Sequence, residues 1–313
     1  MSEQNGASVI EVENLVVEYG KGARRHRAVD GVTFAVQPGE CVGFIGANGA
    51  GKSTTMKTLM GFIFPTSGSA RVFGHKAGTV ESRRRIGYLP EVALYYPFMK
   101  ARELLELYGG LSGLSRSQLR ARIPALLEKV GLGGKENVLL RQFSKGMQQR
   151  LGIAQSLIAE PDALIFDELS SGLDPLGRYD LRQVLLELKN SGRTIFFSSH
   201  ELSEVESLCD RIVMIHKGRV LKEAPVAELM KPLNQFEVVF VPPAGFEIPE
   251  SAARHDLRHD GEMCRLLVND IDDYPRVLSD LTARGVEIRR TASRTVSLED
   301  YFIELVREAE EKP

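Results

Sequence analysis

The segment that most restricts the fold is Gly46-Ala-Asn-Gly-Ala-Gly-Lys-Ser-Thr54, which follows the apolar run Cys41–Ile45 and precedes a helical pattern at Met56, Leu59 and Met60. It fills the pattern G-x-x-x-x-G-K-[ST] in a strand–loop–helix context. A strand feeding a glycine-rich turn and then a helix belongs to an α/β fold with a parallel sheet. The residue types have a chemical reason. Glycines let successive N–H groups curl around phosphate oxygens, Lys52 reaches the β and γ phosphates, and the Ser53 hydroxyl is a ligand for Mg²⁺. A plain glycine-rich turn is the alternative, but it would leave Lys52 at a helix start, where the dipole disfavours a cation. The loop is therefore a nucleoside-triphosphate site built from Gly46, Asn48, Gly49, Ala50, Gly51, Lys52, Ser53 and Thr54.

A second block carries as much information. Ser144 suits an N-cap, and Met147, Leu151, Ala154 and Ile158 recur at helical spacing until Pro161. Free N–H groups and the positive dipole end then lie near Ser144 and Gly146, a helix start suited to an anion. Ala163–Phe166 is a short apolar run, as expected of a buried parallel strand, and Asp167 and Glu168 follow at its carboxyl end, the edge where open α/β sheets bind ligands. Taken alone, the block is equally an ordinary capped helix leading to a core strand with a polar turn. Thr194–Ser198 is another buried strand that ends beside His200.

With those motifs in order over roughly the first 225 residues, the chain resembles the ATP-binding cassette (ABC) family. Tyr19 matches the aromatic that stacks on adenine, although an aromatic ending Leu15–Tyr19 also suits edge-strand packing. Gly46–Thr54 match the Walker A loop, and Glu91 of Gly87-Tyr-Leu-Pro-Glu91 stands where the family has its Q-loop glutamine. Phe143–Gln148 match the signature motif, Ala163–Glu168 Walker B, Ser171-Gly-Leu-Asp174 the D-loop, and His200 the switch histidine. Three departures, Lys145 and Met147 in the signature, Glu91, and Leu169-Ser170 before the D-loop, look like the branch that drives type 2 exporters.

The resemblance implies roles. Lys52, Glu168 and His200 are the catalytic group, Glu168 as general base or water-orienting carboxylate and His200 on the γ-phosphate. Tyr19, the loop residues, Ser144, Gly146 and Asp174 hold ATP, and Ser53, Asp167 and Glu91 hold Mg²⁺. A solvated Glu168 or a structural His200 are the plainer alternatives. It also implies a P-loop NTPase core over residues 8–224 with a helical subdomain at about 91–161, and an accessory α+β domain over 225–313. The family closes two ATPase subunits head to tail, homodimer or paired second subunit, with each signature motif on the partner's ATP, and couples them to transmembrane permease subunits.

The remaining features set limits. The chain has 313 residues, a net charge of −2 and 43% hydrophobic residues, with no apolar run near the roughly 18 residues needed to span a membrane. Met1–Gly6 lacks the regions of a secretory signal, so a cytoplasmic protein, peripheral on the inner face of the membrane through its permease, is expected. Cys41, Cys209 and Cys264 suggest neither a disulfide framework nor a metal site. The loop Gly20–Arg27 and the run Arg83–Arg85 are solvated faces, the former also able to approach phosphates or headgroups. Tyr95-Tyr-Pro-Phe98 is either a permease contact or packing between subdomains. The competing function, a non-transport ABC ATPase acting on ribosome or DNA, lacks the heptad insertion or basic excess that would favour it, so no nucleic acid partner is expected. In the tail, 236–241, 264–268 and 285–289 are expected strands, and 274–283 and 298–308 helices, the last capped by Ser297 with Asp300 three residues on.

Overall fold

A computed structural model of the chain describes residues 8–20, 22–170, 172–230, 232–243, 245–295 and 297–311. Ser171 of the Ser171–Asp174 motif, Lys21 and the opening Met1–Gly6 lie outside the described residues. Two compact units emerge, one of Met1–Val226 with Leu305–Pro313, the other of Ala227–Glu304.

In the first unit the strands are β1 (Ile10–Tyr19), β2 (His26–Val36), β3 (Cys41–Ile45), β4 (Ser67–Val72), β5 (His75–Lys76), β6 (Ile86–Leu89), β7 (Ala163–Phe166), β8 (Thr194–Ser199), β9 (Arg211–His216) and β10 (Arg219–Pro225). Its helices are α1 (Lys52–Leu59), α2 (Val80–Arg83), α3 (Ala101–Leu111), α4 (Arg116–Lys129), α5 (Lys145–Leu157), α6 (Pro175–Asn190), α7 (Leu202–Leu208) and α8 (Val226–Leu229), the last running past the unit boundary. Six strands form one sheet in the order β10-β9-β3-β8-β7-β6, parallel except for β10. Every residue of β3, β7 and β8 is buried, as a sheet covered on both faces requires. Four further strands form an antiparallel sheet, β2-β1-β4-β5.

The two sheets share one core. Phe34 of β2 meets Phe44 of β3 and Phe196 of β8 at ring-centroid distances of 5.4 and 5.3 Å, and Phe44 and Phe196 lie 5.5 Å apart. Aromatic triads of this kind add to the area they bury, by about 0.5–1.5 kcal/mol per pair. Between β6 and β7 the chain forms the helices α3, α4 and α5. Ser115 caps α4 with a reciprocal Gln118 contact, and Leu119, Ile123 and Leu127 form its buried stripe despite Pro124 inside the helix.

The Tyr95–Phe98 segment divides its roles. Tyr95 is half-buried beside Gly152 of α5, and burial of its hydroxyl pushes it well above the usual tyrosine range. Tyr96 and Phe98 are exposed, 59% and 71%, with their rings 5.6 Å apart. Arg83 and Arg84 are exposed as expected. Arg85 is not a bare solvated side chain: its guanidinium lies 4.0 Å from the Phe73 ring centroid and bonds Asp162 at 2.6 Å.

The second unit is a four-stranded antiparallel sheet, β12-β13-β11-β14, from Asp256–Asp260, Met263–Val268, Pro232–Val241 and Glu287–Thr295, with α9 (Glu250–Ala253), α10 (Tyr274–Ala283) and the start of α11 (Leu298–Glu311). Val238, Phe240, Leu266, Val268, Val277 and Leu281 make its core. Ser297 accepts the Asp300 N–H at 3.1 Å, the expected cap. Strand β12 has no counterpart in the sequence expectations. Its letters, Asp-Leu-Arg-His-Asp, carry too little apolar alternation to announce a strand, and pairing with β13 supplies the order.

Tight packing of β6 against the chain ahead of β7 gives a test. A Cβ on Gly87 would overlap the Ser156 carbonyl oxygen and press on Leu164. Gly87→Ala should destabilise the first unit by about 1–3 kcal/mol, the usual cost of overpacking. Thermal denaturation of parent and variant checks it, and an unchanged midpoint contradicts the packing.

Candidate functional site

The site lies at the carboxyl edge of the parallel strands. From β3 the chain enters the loop at Gly46, where a Cβ would overlap the Ile215 carbonyl oxygen. It enters α1 through Gly51 at φ +111°, a backbone geometry that favours glycine. Ala50 is buried at the turn, its N–H donating to Ala47 O at 3.1 Å and its carbonyl accepting from Gly218 N at 2.9 Å. Lys52 is 5% exposed and its Nζ donates to Gly46 O at 2.5 Å and Ala47 O at 3.3 Å. A cleft of about 400 Å³ opens over the loop, lined by Tyr19, Asn48, Gly49, Gly51, Lys52, Ser53, Thr54, Glu91 and Glu168 among others. Tyr19 faces the cleft, with its hydroxyl 3.2 Å from the Thr54 hydroxyl. One surface thus gathers the aromatic, the phosphate loop and both glutamates.

Parallel register explains how the carboxylates arrive there. β8 lies between β3 and β7, with Phe197 paired to Phe166 and Ser198 paired to Phe44. One residue beyond Phe166, Asp167 therefore meets Ser198. The Ser198 hydroxyl donates to Asp167 Oδ1 at 2.7 Å and accepts the Glu168 N–H at 2.8 Å. The Ser53 hydroxyl donates to the same Asp167 oxygen at 3.0 Å, so Ser53, Asp167 and Ser198 form one hydrogen-bonded chain running from the cleft into the core. Nothing in the spacing of the sequence announces Ser198; only register gives it this place. Burial and, after it, the Asp167 charge push the Tyr88 hydroxyl up to about 12, so this neighbour stays neutral.

Glu168 has φ +50°, an uncommon backbone for a side chain of its size. It is 7% exposed, with Oε1 3.0 Å from Lys52 Nζ and Oε2 2.5 Å from His200 Nδ1. A strained backbone held by two side-chain contacts and one backbone bond is the arrangement found where a group must be aimed. Adjacent carboxylates thus take separate tasks: Asp167 faces Ser53, Glu168 faces Lys52 and His200.

Ser53 Oγ and Asp167 Oδ1 suit a small oxygen-seeking divalent cation, because Mg²⁺ takes few protein ligands and keeps waters and substrate phosphates. Among the described residues there is no group of three or more His, Cys, Asp or Glu that could hold a metal ion. Glu91 stands on the cleft lining.

Ser144, Gly146 and Asp174 do not line this cleft. Ser144 caps α5, accepting Met147 N–H at 3.3 Å, and is exposed; Asp174 caps α6, accepting Gly177 N–H at 2.8 Å. Gly146 has open space, a Cβ there meeting only Leu173 Cδ2 at 3.7 Å. The turn after Glu168 is pinned from α5, where Gln149 Nε2 donates to Leu169 O at 2.6 Å.

A family model described as ABC transporter matches residues 29–171. An uncharacterized ABC transporter ATP-binding protein of Synechocystis sp. is 37% identical over 311 residues, spanning 96% of this chain and 86% of that protein. The bacitracin transport ATP-binding protein of Bacillus licheniformis is 33% identical over 312 residues, spanning 96% and 98%. Among solved structures, a bacterial ABC transporter cassette in dimeric form is similar with a TM-score of 0.64 and 25% identity, covering 69% of this chain and 98% of that one.

Ser198 offers the sharpest test of the site's geometry. Ser198→Ala removes the donor to Asp167 and the acceptor for the Glu168 N–H. Leaving buried groups unpaired costs about 1–3 kcal/mol, and loss of a supporting contact of this kind lowers activity by about 10–100-fold. Steady-state ATPase rates with a parallel melting curve check both; an unaltered rate rules out a supporting role.

Proposed function

This chain belongs to the ABC transporter family as one of its ATP-binding, ATP-hydrolysing subunits, of the exporter-like kind, and from that premise we propose that it powers an exporter by closing head to tail on a second ATPase subunit around ATP. The observation that carries the reading is the separation of two half-sites. Lys52, Ser53, Asp167, Glu168 and His200 converge at the phosphate loop, whereas Ser144 and Gly146 stand at an exposed helix start outside that cleft. A second copy, or a paired ATPase subunit, supplies the missing half: its Ser144, Gly146 and Asp174 segment covers this chain's ATP, with the helix N-terminus facing the phosphates. The dimeric form of the similar cassette supports that assembly.

The chemistry follows from the placement. Tyr19 takes the adenine, and the loop from Gly46 to Thr54 holds the phosphates with Lys52 on the β and γ oxygens. A water oxygen bonds the γ phosphorus as the bond to the bridging oxygen breaks, and Glu168 takes the water proton. His200, in contact with Glu168 Oε2, orients that carboxylate and meets the γ-phosphate. Mg²⁺, when bound, neutralises phosphate charge. Ser53 and Asp167 would hold it, with Glu91 adding an oxygen where the family has an amide.

Coupling uses separate membrane proteins. No helix among the described residues is long and apolar enough to cross a membrane. Leu94, Tyr96 and Phe98 are exposed apolar side chains following Glu91, and they form the face for a permease segment. The chain then works in the cytoplasm, peripheral on the inner face of the membrane. The unit Ala227–Glu304 braces the fold or supports dimerisation.

Glu168→Gln tests the centre of this reading. Nucleotide binding should persist while turnover falls by about 10²-fold or more, the contribution of a general base. Size-exclusion chromatography with ATP should show a persistent dimer. Normal hydrolysis by this variant removes Glu168 from its role.

A further inference from the structure

Glu204 is a buried carboxylate that the hydrolysis just described does not use. It is 8% exposed, on α7 between the apolar positions Val205 and Leu208 and the turn that carries His200. Burial pushes its carboxyl above the usual range, opposed by the Ser170 hydrogen bond and by Arg178. Placing a carboxylate in such a position is costly unless its hydrogen bonds are satisfied, and a leucine would fill the space without that cost.

What Glu204 touches gives the reason. Ser170 Oγ donates to Glu204 Oε2 at 2.7 Å, and Ser199 Oγ reaches the same oxygen at 3.5 Å. Ser170 lies two residues after Glu168, and Ser199 lies one residue before His200. The Ser199 hydroxyl also accepts the Glu201 N–H at 2.9 Å, so it shapes the turn it belongs to. β7 and β8 are adjacent parallel strands, so the two turns leave the same sheet edge side by side. Arg178 of α6 makes a second tie between them, donating to Leu173 O at 3.2 Å and pairing with Glu201 at 2.8 Å.

We propose that Glu204 is a positioning residue for hydrolysis: its carboxylate ties the turn after Glu168 to the turn before His200, and so fixes the Glu168–His200 pair. The inference rests on the roles given above to Glu168 and His200. It extends to the signature helix, because Gln149 of α5 holds Leu169 O from the other side of the same turn. A shift of α5 therefore passes through Leu169 and Ser170 to Glu204 and the His200 turn, through hydrogen bonds of 2.6 and 2.7 Å.

The experiment compares full-length Glu204→Leu, Glu204→Gln and Ser170→Ala with the parent in ATP affinity, kcat and thermal midpoint. Loss of the tie should lower kcat by about tenfold or more in Glu204→Leu with ATP affinity within about twofold, the signature of an interaction used on the way to the transition state. Glu204→Gln keeps a side-chain oxygen for the two serines and should retain kcat within about threefold of the parent. Ser170→Ala should slow turnover by about threefold, and combined with Glu204→Leu it should add nothing, because Glu204→Leu already removes the Ser170 contact. The proposal is overturned if Glu204→Leu turns over at the parent rate, if kcat and affinity fall together with the folded fraction, or if Glu204→Gln is as slow as Glu204→Leu. Should Glu204→Leu fail to fold, Ser170→Ala decides alone, and parent-like turnover there overturns the tie. Glu168→Gln run alongside separates the two levels. An inactive Glu168→Gln with a normal Glu204→Leu removes only this inference, whereas an active Glu168→Gln removes the reading beneath it.

Discussion

One oxygen, Asp167 Oδ1, takes the hydroxyl of Ser53 from the phosphate loop and the hydroxyl of Ser198 from β8. Asp167 is 1% exposed, and a buried carboxylate is tolerated only where donors converge on it. Those donors exist because β8 separates β3 from β7 in the sheet. A different strand order would leave the carboxylate without Ser198 and the Glu168 N–H without an acceptor. Strand order, phosphate loop and the carboxylates at the sheet edge are thus a single constraint, met by three short strands with no solvent-facing residue. The aromatic triad of Phe34, Phe44 and Phe196 holds two of these strands against the antiparallel sheet, which also carries Tyr19 to the cleft.

Glu168 shows what this frame sustains. Its left-handed backbone costs on the order of 1–3 kcal/mol, and the contacts that offset it belong to different elements: Ser198 at the backbone, Lys52 and His200 at the carboxylate. Lys52 is shared in turn with the Gly46 carbonyl, so an incoming phosphate competes for a cation already engaged by Glu168. The loop carbonyl and the Glu168 carboxylate are therefore linked through one ammonium group.

Much of this was legible in the letters. Cys41–Ile45 and Ala163–Phe166 are strands with the bounds that their apolar runs suggest, and Tyr274–Ala283 is a helix with the bounds its periodicity gives. Short buried parallel strands are continuous apolar runs, and glycine-rich punctuation marks their ends, so both signals are local. What stayed hidden depends on partners distant in sequence. Ser198 and Glu204 are ordinary polar letters until parallel register brings them beside Asp167 and Ser170. β14 runs on to Thr295, past the short apolar stretch, because β11 offers it a ladder. Tyr95 and Tyr96 are adjacent and alike in type, yet one is half-buried beside Gly152 and the other exposed, a split that the packing of α5 decides.

The irregular signature letters acquire a physical reading from the same contacts. Lys145 occupies the first turn of α5, where the helix dipole disfavours a cation. Its side chain instead runs over Gly172, whose φ of +70° and bare Cα leave room that a Cβ would take from the Lys145 ammonium. Lys145 and Gln149 lie one helical turn apart on α5, so one face of that helix touches the chain after Glu168 at two points, Gly172 and Leu169 O. A glycine at 145 would remove the first of these. Lys145 therefore places a side-chain contact between α5 and the segment leading to Asp174 where a glycine would leave the helix start bare.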